Sequence, residues 1–335
     1  MNLPEKITKH FNLILMCAIL ICVCGATAKA QNYVSNSKLE SARSDKLTGG
    51  RIEKSALAAG NSDIKITINV PAFQLTLWQS GKEIETFPVG VGMKDYPIFT
   101  GRLEASAVIW NPVWIPPSSD WVEGSKTVKA GEIILPTDSR NPLGKVKIPL
   151  GYGYLIHQAK SSADLGSLVS HGCVRVMQND LYDLAAEITT ARSLPVTDGE
   201  ILKAKNTKET LNLDLESAIP VEITYDTLVV EAGKLHIYPD VYDRKTNTIE
   251  NLRAELESSG VNAAKISDLI LSKMLAKAGG KKQFVVSVKN IEAGKSLTGG
   301  QVLSVVLPNV STPAAPSRET KRKVANGTMR QRRVS

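Results

Sequence analysis

The sequence predicts a mainly β protein: a mixed, β-sandwich-like domain with a short helix after Cys173, followed by a smaller α+β region. Three observations predict it. Ile64, Ile66, Ile68 and Val70, then Phe73, Leu75 and Leu77, alternate with polar residues, the period of half-buried strands. Pro97, Pro112, Pro116, Pro117, Pro136, Pro142 and Pro149 punctuate residues 95–150, which suits short strands and ordered loops rather than helices. Beyond Cys173, Leu181, Leu184, Ala185 and Ile188 recur at helical spacing, with Asp183 and Glu187 opposite.

The elements follow in order. Residues 64–70 and 73–77 form two strands of a meander, Ser80-Gly81 turns the chain, and Ile84 to Val91 returns as a third. Gly153 to His157 reads as a strand delivering His157 at its end. Asn179 is placed to cap the helix. After Pro195, Val221–Tyr225 and Leu235–Tyr238 read as strands around a Gly233 turn. Residues 249–256 and the set Ile266, Leu269, Ile270, Met274 suggest helices, and 284–288 and 302–306 suggest strands. No internal repeat marks a solenoid.

The termini account for much of the composition. Lys6 and Lys9 precede an apolar run from Phe11 to Cys24, and small residues lead to Ala28-Lys29-Ala30. This is the pattern of a secretory signal peptide cleaved near Ala30, and it places the mature protein in the periplasm or cell envelope. The run is short for a membrane span, although an uncleaved anchor is an alternative. Residues 31–62, rich in Ser, Ala, Gly and Asn, read as a linker. Residues 63–197 form the principal domain, 198–310 an accessory region, and 311–335 a basic, disordered tail. Removing signal and tail leaves 31 basic and 31 acidic residues, so the +8 charge is terminal and not a surface field. With aromatics at only 5%, a base-stacking nucleic-acid surface is disfavoured.

Three of the four cysteines, Cys17, Cys22 and Cys24, leave with the signal. Cys173 is then the sole thiol, in an oxidising compartment where an unused thiol is a liability. Two of the three remaining histidines, His157 and His171, lie within sixteen residues of it. Thiol chemistry needs a base or cation, oxyanion donors and an open approach. His157 and His171 supply candidate bases, and Gly172 leaves the backbone approachable. If a short loop leads to the following helix, its N-terminus would favour the thiolate. A buried structural cysteine is the plain alternative. A zinc site lacks CxxC or HxxxH spacing and a fourth ligand. His236, far off in a strand, reads as an ordinary residue.

His157 followed by Ser170-His171-Gly172-Cys173-Val174-Arg175 resembles the signature of the L,D-transpeptidases, the YkuD-type catalytic domains that remodel peptidoglycan. The resemblance covers about residues 63–190 and includes Pro88-Val89-Gly90-Val91-Gly92, Thr100-Gly101, Asn111-Pro112-Val113-Trp114 and Asn141-Pro142-Leu143-Gly144. It implies Cys173 as nucleophile and His157 as base, with the latter oriented by a backbone carbonyl just after it. Gly172 and Cys173 amides would form the oxyanion hole, and Ser170 and His171 would shape the site. Arg175 would bind a substrate carboxylate or brace the loop, and Tyr154, with Tyr152, would line the acyl pocket.

The implied partners are stem peptides, a tetrapeptide donor and an amine acceptor, with a wall-attached lipoprotein as a further acceptor. No nucleic-acid partner, metal or organic cofactor is implied. The alternatives are an L,D-carboxypeptidase and a non-catalytic wall-binding protein. The second gains weight because Gln158 stands where the family often has Gly, and because residues 158–169 lack a Gly-Thr pair found in close relatives. A sortase-like enzyme fits less well, for it lacks the Ser-His-Gly-Cys run.

Overall fold

The computed structural model describes residues 64–306. The expected signal peptide (1–30), linker (31–62) and basic tail (311–335) lie outside the described residues. Nine strands build the main sheet: β1 (Ile64–Asn69), β2 (Gln74–Gln79), β3 (Lys82–Gly92), β4 (Gly101–Trp110), β5 (Val146–Pro149), β6 (Leu155–Gln158), β7 (Leu168–Ser170), β8 (Val174–Val176) and β9 (Leu211–Thr224). Their order is β2-β1-β9-β4-β5-β6-β8-β3-β7, and an additional β2–β3 pairing closes the sheet on itself. Closure leaves fewer open edges and encloses one core.

That core is what the alternation dictates. Ile64, Ile66, Ile68, Leu75, Leu77, Phe87, Val89 and Val91 are buried on the inner face, together with Trp110, Ile148, Ile156, Val174 and Val176. Each such burial stabilises the fold by roughly 1.5–3 kcal/mol relative to exposure. The mainly β reading therefore stands.

Among the helices, α1 (Asp120–Glu123) is a single turn and α2 (Gln178–Ala191) is the expected helix. It buries Leu181, Leu184, Ala185 and Ile188 against the sheet. Its start differs from expectation. Met177 occupies the cap without a side-chain bond, and Asn179 lies inside the first turn. The conditional expectation of a helix N-terminus at the thiol also gives way, because β8 intervenes. Three residues of strand span about 10 Å.

The sheet does not stop at residue 197. Helix α3 (Asp198–Asn206) opens with a reciprocal Thr197–Glu200 capping box. Strand β9 then inserts between β1, to which it is parallel, and β4, to which it is antiparallel. Val221–Thr224 thus completes the main sheet, whereas Gly233 turns β10 (Leu228–Glu231) into β11 (Lys234–Ile237). Alternation decides which face of a strand is buried, not which neighbour it joins.

The remaining chain is a smaller α+β unit. β10 and β11 continue into β12 (Lys282–Ser287) and β13 (Gly300–Ser304) as a four-stranded antiparallel sheet. α4 (Ile249–Ser258), α5 (Asp268–Leu275) and α6 (Val288–Glu292) accompany it. Leu235, Ile237, Leu252, Leu256, Leu271, Met274 and Phe284 form its separate core. His236 is bonded to Gln283 there, at 3.1 Å. Among the described residues no helix is long and apolar enough to cross a membrane.

Candidate active site

β6 and β8 run parallel, with Ile156 opposite Val174, His157 opposite Arg175 and Gln158 opposite Val176. Paired residues share a face, and neighbours along a strand alternate. Ile156, Val174 and Val176 point into the core, so His157 and Arg175 point out of it. Cys173 immediately precedes β8. The Leu155 N–H donates to its sulfur. The pairing of β6 with β8 thus brings the backbone of the His157 strand to a sulfur sixteen residues further along the chain than His157.

Burial dominates the electrostatics. His157 is 4% exposed. Desolvation, aided by the Arg175 charge, pushes its pKa down to about 4. The Gln158 carbonyl works the other way by favouring a protonated ring. That contact is not a regular hydrogen bond, since Nδ1 has no acceptor with good geometry among the described residues. Burial also pushes the Cys173 thiol up, against the opposing pull of the Leu155 amide and the Arg175 charge. At neutral pH the pair therefore rests as thiol and neutral imidazole.

Arg175 is engaged internally. Its Nη1 lies 3.0 Å from Asp164 Oδ2, with both side chains only 12% exposed. The same carboxylate oxygen accepts from the Lys160 N–H at 2.9 Å. Of the two roles expected for Arg175, this geometry favours the brace over the substrate-carboxylate contact.

The turn from Ser170 to Cys173 is self-tied. Ser170 Oγ donates to the Cys173 carbonyl at 2.5 Å and accepts from the Gly172 N–H at 3.2 Å. The Gly172 amide, expected in the oxyanion hole, is thereby occupied. A hydroxyl two residues upstream competes for it, as Ser side chains do in turns. Gly172 has φ +107°, and a Cβ there would come within 2.9 Å of the Tyr154 ring. Tyr154 thus packs against the turn, whereas Tyr152 is 92% exposed.

His171 is held by aromatic rings. Trp121 stacks on it at 4.2 Å and 13°, and Tyr96 meets it edge-on at 4.7 Å. Trp114 stacks in turn on Trp121 at 6.4 Å. Sequence reasoning missed Tyr96 and Trp121; the only signal was Trp114 at the end of Asn111-Pro112-Val113-Trp114. The asparagines of the flanking motifs are structural. Asn111 Nδ2 donates to the Ala204 and Glu209 carbonyls, both at 2.8 Å, and Asn141 Nδ2 donates to the Pro112 carbonyl at 2.9 Å. Among the described residues no three His, Cys, Asp or Glu side chains gather to hold a metal ion.

Fold and site together define a closed-sheet β protein carrying a candidate thiol–imidazole site. Residues 63–205 match the family model of the YkuD L,D-transpeptidase catalytic domain, so the resemblance read from the motif holds over this segment. Two curated relatives share that description. The probable L,D-transpeptidase ErfK/SrfK of Salmonella typhimurium is 28% identical over 40% of this chain and 44% of its own length. The probable L,D-transpeptidase YbiS of Escherichia coli is 27% identical over the same shares. The match spans less than half the length of either relative. The solved L,D-transpeptidase from Mycobacterium smegmatis aligns more loosely, at 14% identity and TM-score 0.30 over 49% of this chain and 59% of that one.

Proposed function

We propose that the matched domain is a peptidoglycan L,D-transpeptidase, with Cys173 as nucleophile and His157 as its base. The observation that carries this is the Leu155 N–H donating to the Cys173 sulfur two residues along β6 from the buried imidazole of His157.

In this reading the Cys173 thiol passes its proton to His157 as sulfur attacks the carbonyl of the third stem residue. The resulting oxyanion is received by the Cys173 N–H, since the Gly172 N–H is taken by Ser170. Collapse breaks the bond to the terminal D-Ala, and the proton on His157 leaves with its amine. An acceptor amine then attacks the thioester, and His157 takes up its proton and passes it to the departing sulfur, restoring the thiol. A second stem peptide as acceptor gives a 3→3 cross-link. A D-amino acid gives exchange, a lipoprotein lysine gives attachment, and water gives L,D-carboxypeptidase activity.

The supporting residues keep separate tasks. Ser170 fixes the turn, and Tyr154 and the ring-clamped His171 wall the acyl pocket. Arg175, braced by Asp164, supplies positive charge beside the sulfur. We place the protein in the periplasm or cell envelope, exported by residues 1–30.

The test is mass spectrometry of the mature protein with a carbapenem, beside Cys173→Ala and His157→Ala. An adduct on the wild type alone supports both assignments. An adduct on His157→Ala at the wild-type rate removes His157 as base. A folded wild-type protein that forms no adduct favours the wall-binding alternative.

A further inference from the structure

We propose that Tyr242, in the C-terminal region, is a positioning residue for the thiol site, its hydroxyl holding the β3–β4 connection against the His171–Cys173 turn. The kinetic part of this inference rests on the transpeptidase reading; the structural part does not.

The connection from Gly92 to Gly101 forms the back of the turn. A Cβ on Gly92 would lie 3.1 Å from the Gly172 Cα and 2.2 Å from the Tyr96 carbonyl oxygen, so the two backbones touch there. Tyr96, four residues on, sets its ring against His171 at 4.7 Å. One hydroxyl spans this connection. Tyr242 Oη donates to the Gly92 carbonyl at 2.9 Å and accepts from the Ile98 N–H at 3.4 Å.

Tyr242 is itself held firmly. Its N–H donates to Tyr225 Oη at 2.6 Å, and the two rings stack at 5.6 Å and 16°. The Arg244 guanidinium lies 4.3 Å from the Tyr225 ring and 5.5 Å from that of Tyr242. Asp240 Oδ1 accepts from Tyr225 Oη at 2.6 Å and from the Arg244 N–H at 2.9 Å. The same loop carries Asp243 at φ 55° and Lys245 at φ 57°. Two non-glycine residues in the left-handed region within one short loop are kept only where surrounding contacts over-determine them, which is common beside functional sites. The loop thus presents a rigid phenol to a connection that touches the turn of the nucleophile.

The experiment uses the mature protein with Tyr242→Phe, which removes the hydroxyl and keeps the ring. Glu209→Gln, which cuts only the exposed ion pair with Lys203, is the control. Amide exchange is expected to quicken in Tyr242→Phe at residues 92–100 and also at 170–174, with both segments unchanged in the control. The limiting rate of Cys173 acylation by a carbapenem should fall about tenfold, the scale of one lost positioning hydrogen bond, with the half-saturating concentration within twofold. Faster exchange confined to 92–100, or a limiting rate within twofold of wild type, overturns the proposal. If the wild type is not acylated at all, the transpeptidase reading fails first, and exchange at 170–174 alone decides the positioning role.

Discussion

His157 and Arg175 stand directly opposite each other on the parallel strands β6 and β8. Burial, aided by that fixed cation, keeps the imidazole neutral. The same cation lowers the cost of forming a thiolate two residues away, at Cys173. The Asp164 carboxylate, 3.0 Å from the guanidinium, holds the cation in place.

The first consequence is a pH dependence of stability. His157 titrates near 6.5 when unfolded and is pushed down to about 4 in the fold. Between those values the unfolded chain binds the extra proton, so stability is full above pH 6.5 and is lost as pH falls towards 4. The loss at pH 5 should be about 2 kcal/mol from this residue alone. Urea denaturation at pH 7 and pH 5 should show it in the wild type, and the difference should shrink by that amount in His157→Gln.

The second concerns the thiol. Burial holds Cys173 above its ordinary value, so alkylation by iodoacetamide should keep rising with pH through the alkaline range. A preformed thiolate–imidazolium pair would instead give a plateau at neutral pH. Arg175→Gln should shift the profile further up. It should also destabilise the fold by about 3 kcal/mol, since Asp164 is left with an uncompensated, largely buried charge.

A third prediction separates two glycines. Gly92→Ala would set a Cβ 2.2 Å from the Tyr96 carbonyl oxygen and 2.9 Å from the Ile98 nitrogen. Neither backbone atom can yield cheaply, so the turn must move and acylation should fall by more than tenfold, about 1.4 kcal/mol or more of barrier. Gly153→Ala meets nothing within 4 Å but has φ +81°. It should cost only about 1–2 kcal/mol of stability, read by thermal denaturation, and leave acylation near wild type.

Gln158 is the departure from the family pattern that the sequence could not resolve. Its side chain turns to the Gly144-Lys145 loop, where Oε1 accepts from the Lys145 N–H at 2.9 Å. A Cβ on Gly144 would lie 2.5 Å from Gln158 Cβ, so that glycine makes room for the glutamine. Gln158→Gly should lose about 1 kcal/mol from the missing bond and more from backbone freedom. It should not speed acylation, because the side chain lies on the core side of β6 and away from Cys173. Faster acylation by a carbapenem would show that the side chain obstructs the site.

What could be read in the sequence follows what is local. The alternation of Ile64 to Leu77 and the helical period of Leu181 to Ile188 foretold their elements because each pattern is set by one neighbouring core. Cys173 close in the chain to His157 and His171 suggested the proposed site because its chemistry needs few residues. The insertion of β9 between β1 and β4, the aromatic clamp of Trp121 and Tyr96 on His171, and the reach of Tyr242 to Gly92 were hidden. Each joins residues from 50 to 155 positions apart, and no local period records such contacts. The occupation of the Gly172 amide by Ser170 was local in sequence, yet it depended on a hydroxyl rotation that residue identity alone does not dictate.

The most direct test of the central claim is intact-mass measurement of the mature protein during turnover of a disaccharide-tetrapeptide, with free D-Ala measured in parallel. The expected result is a transient adduct on Cys173 equal to the substrate less D-Ala, D-Ala released in step, and neither in Cys173→Ala. A folded wild-type protein that binds the tetrapeptide yet forms no adduct and releases no D-Ala would contradict it.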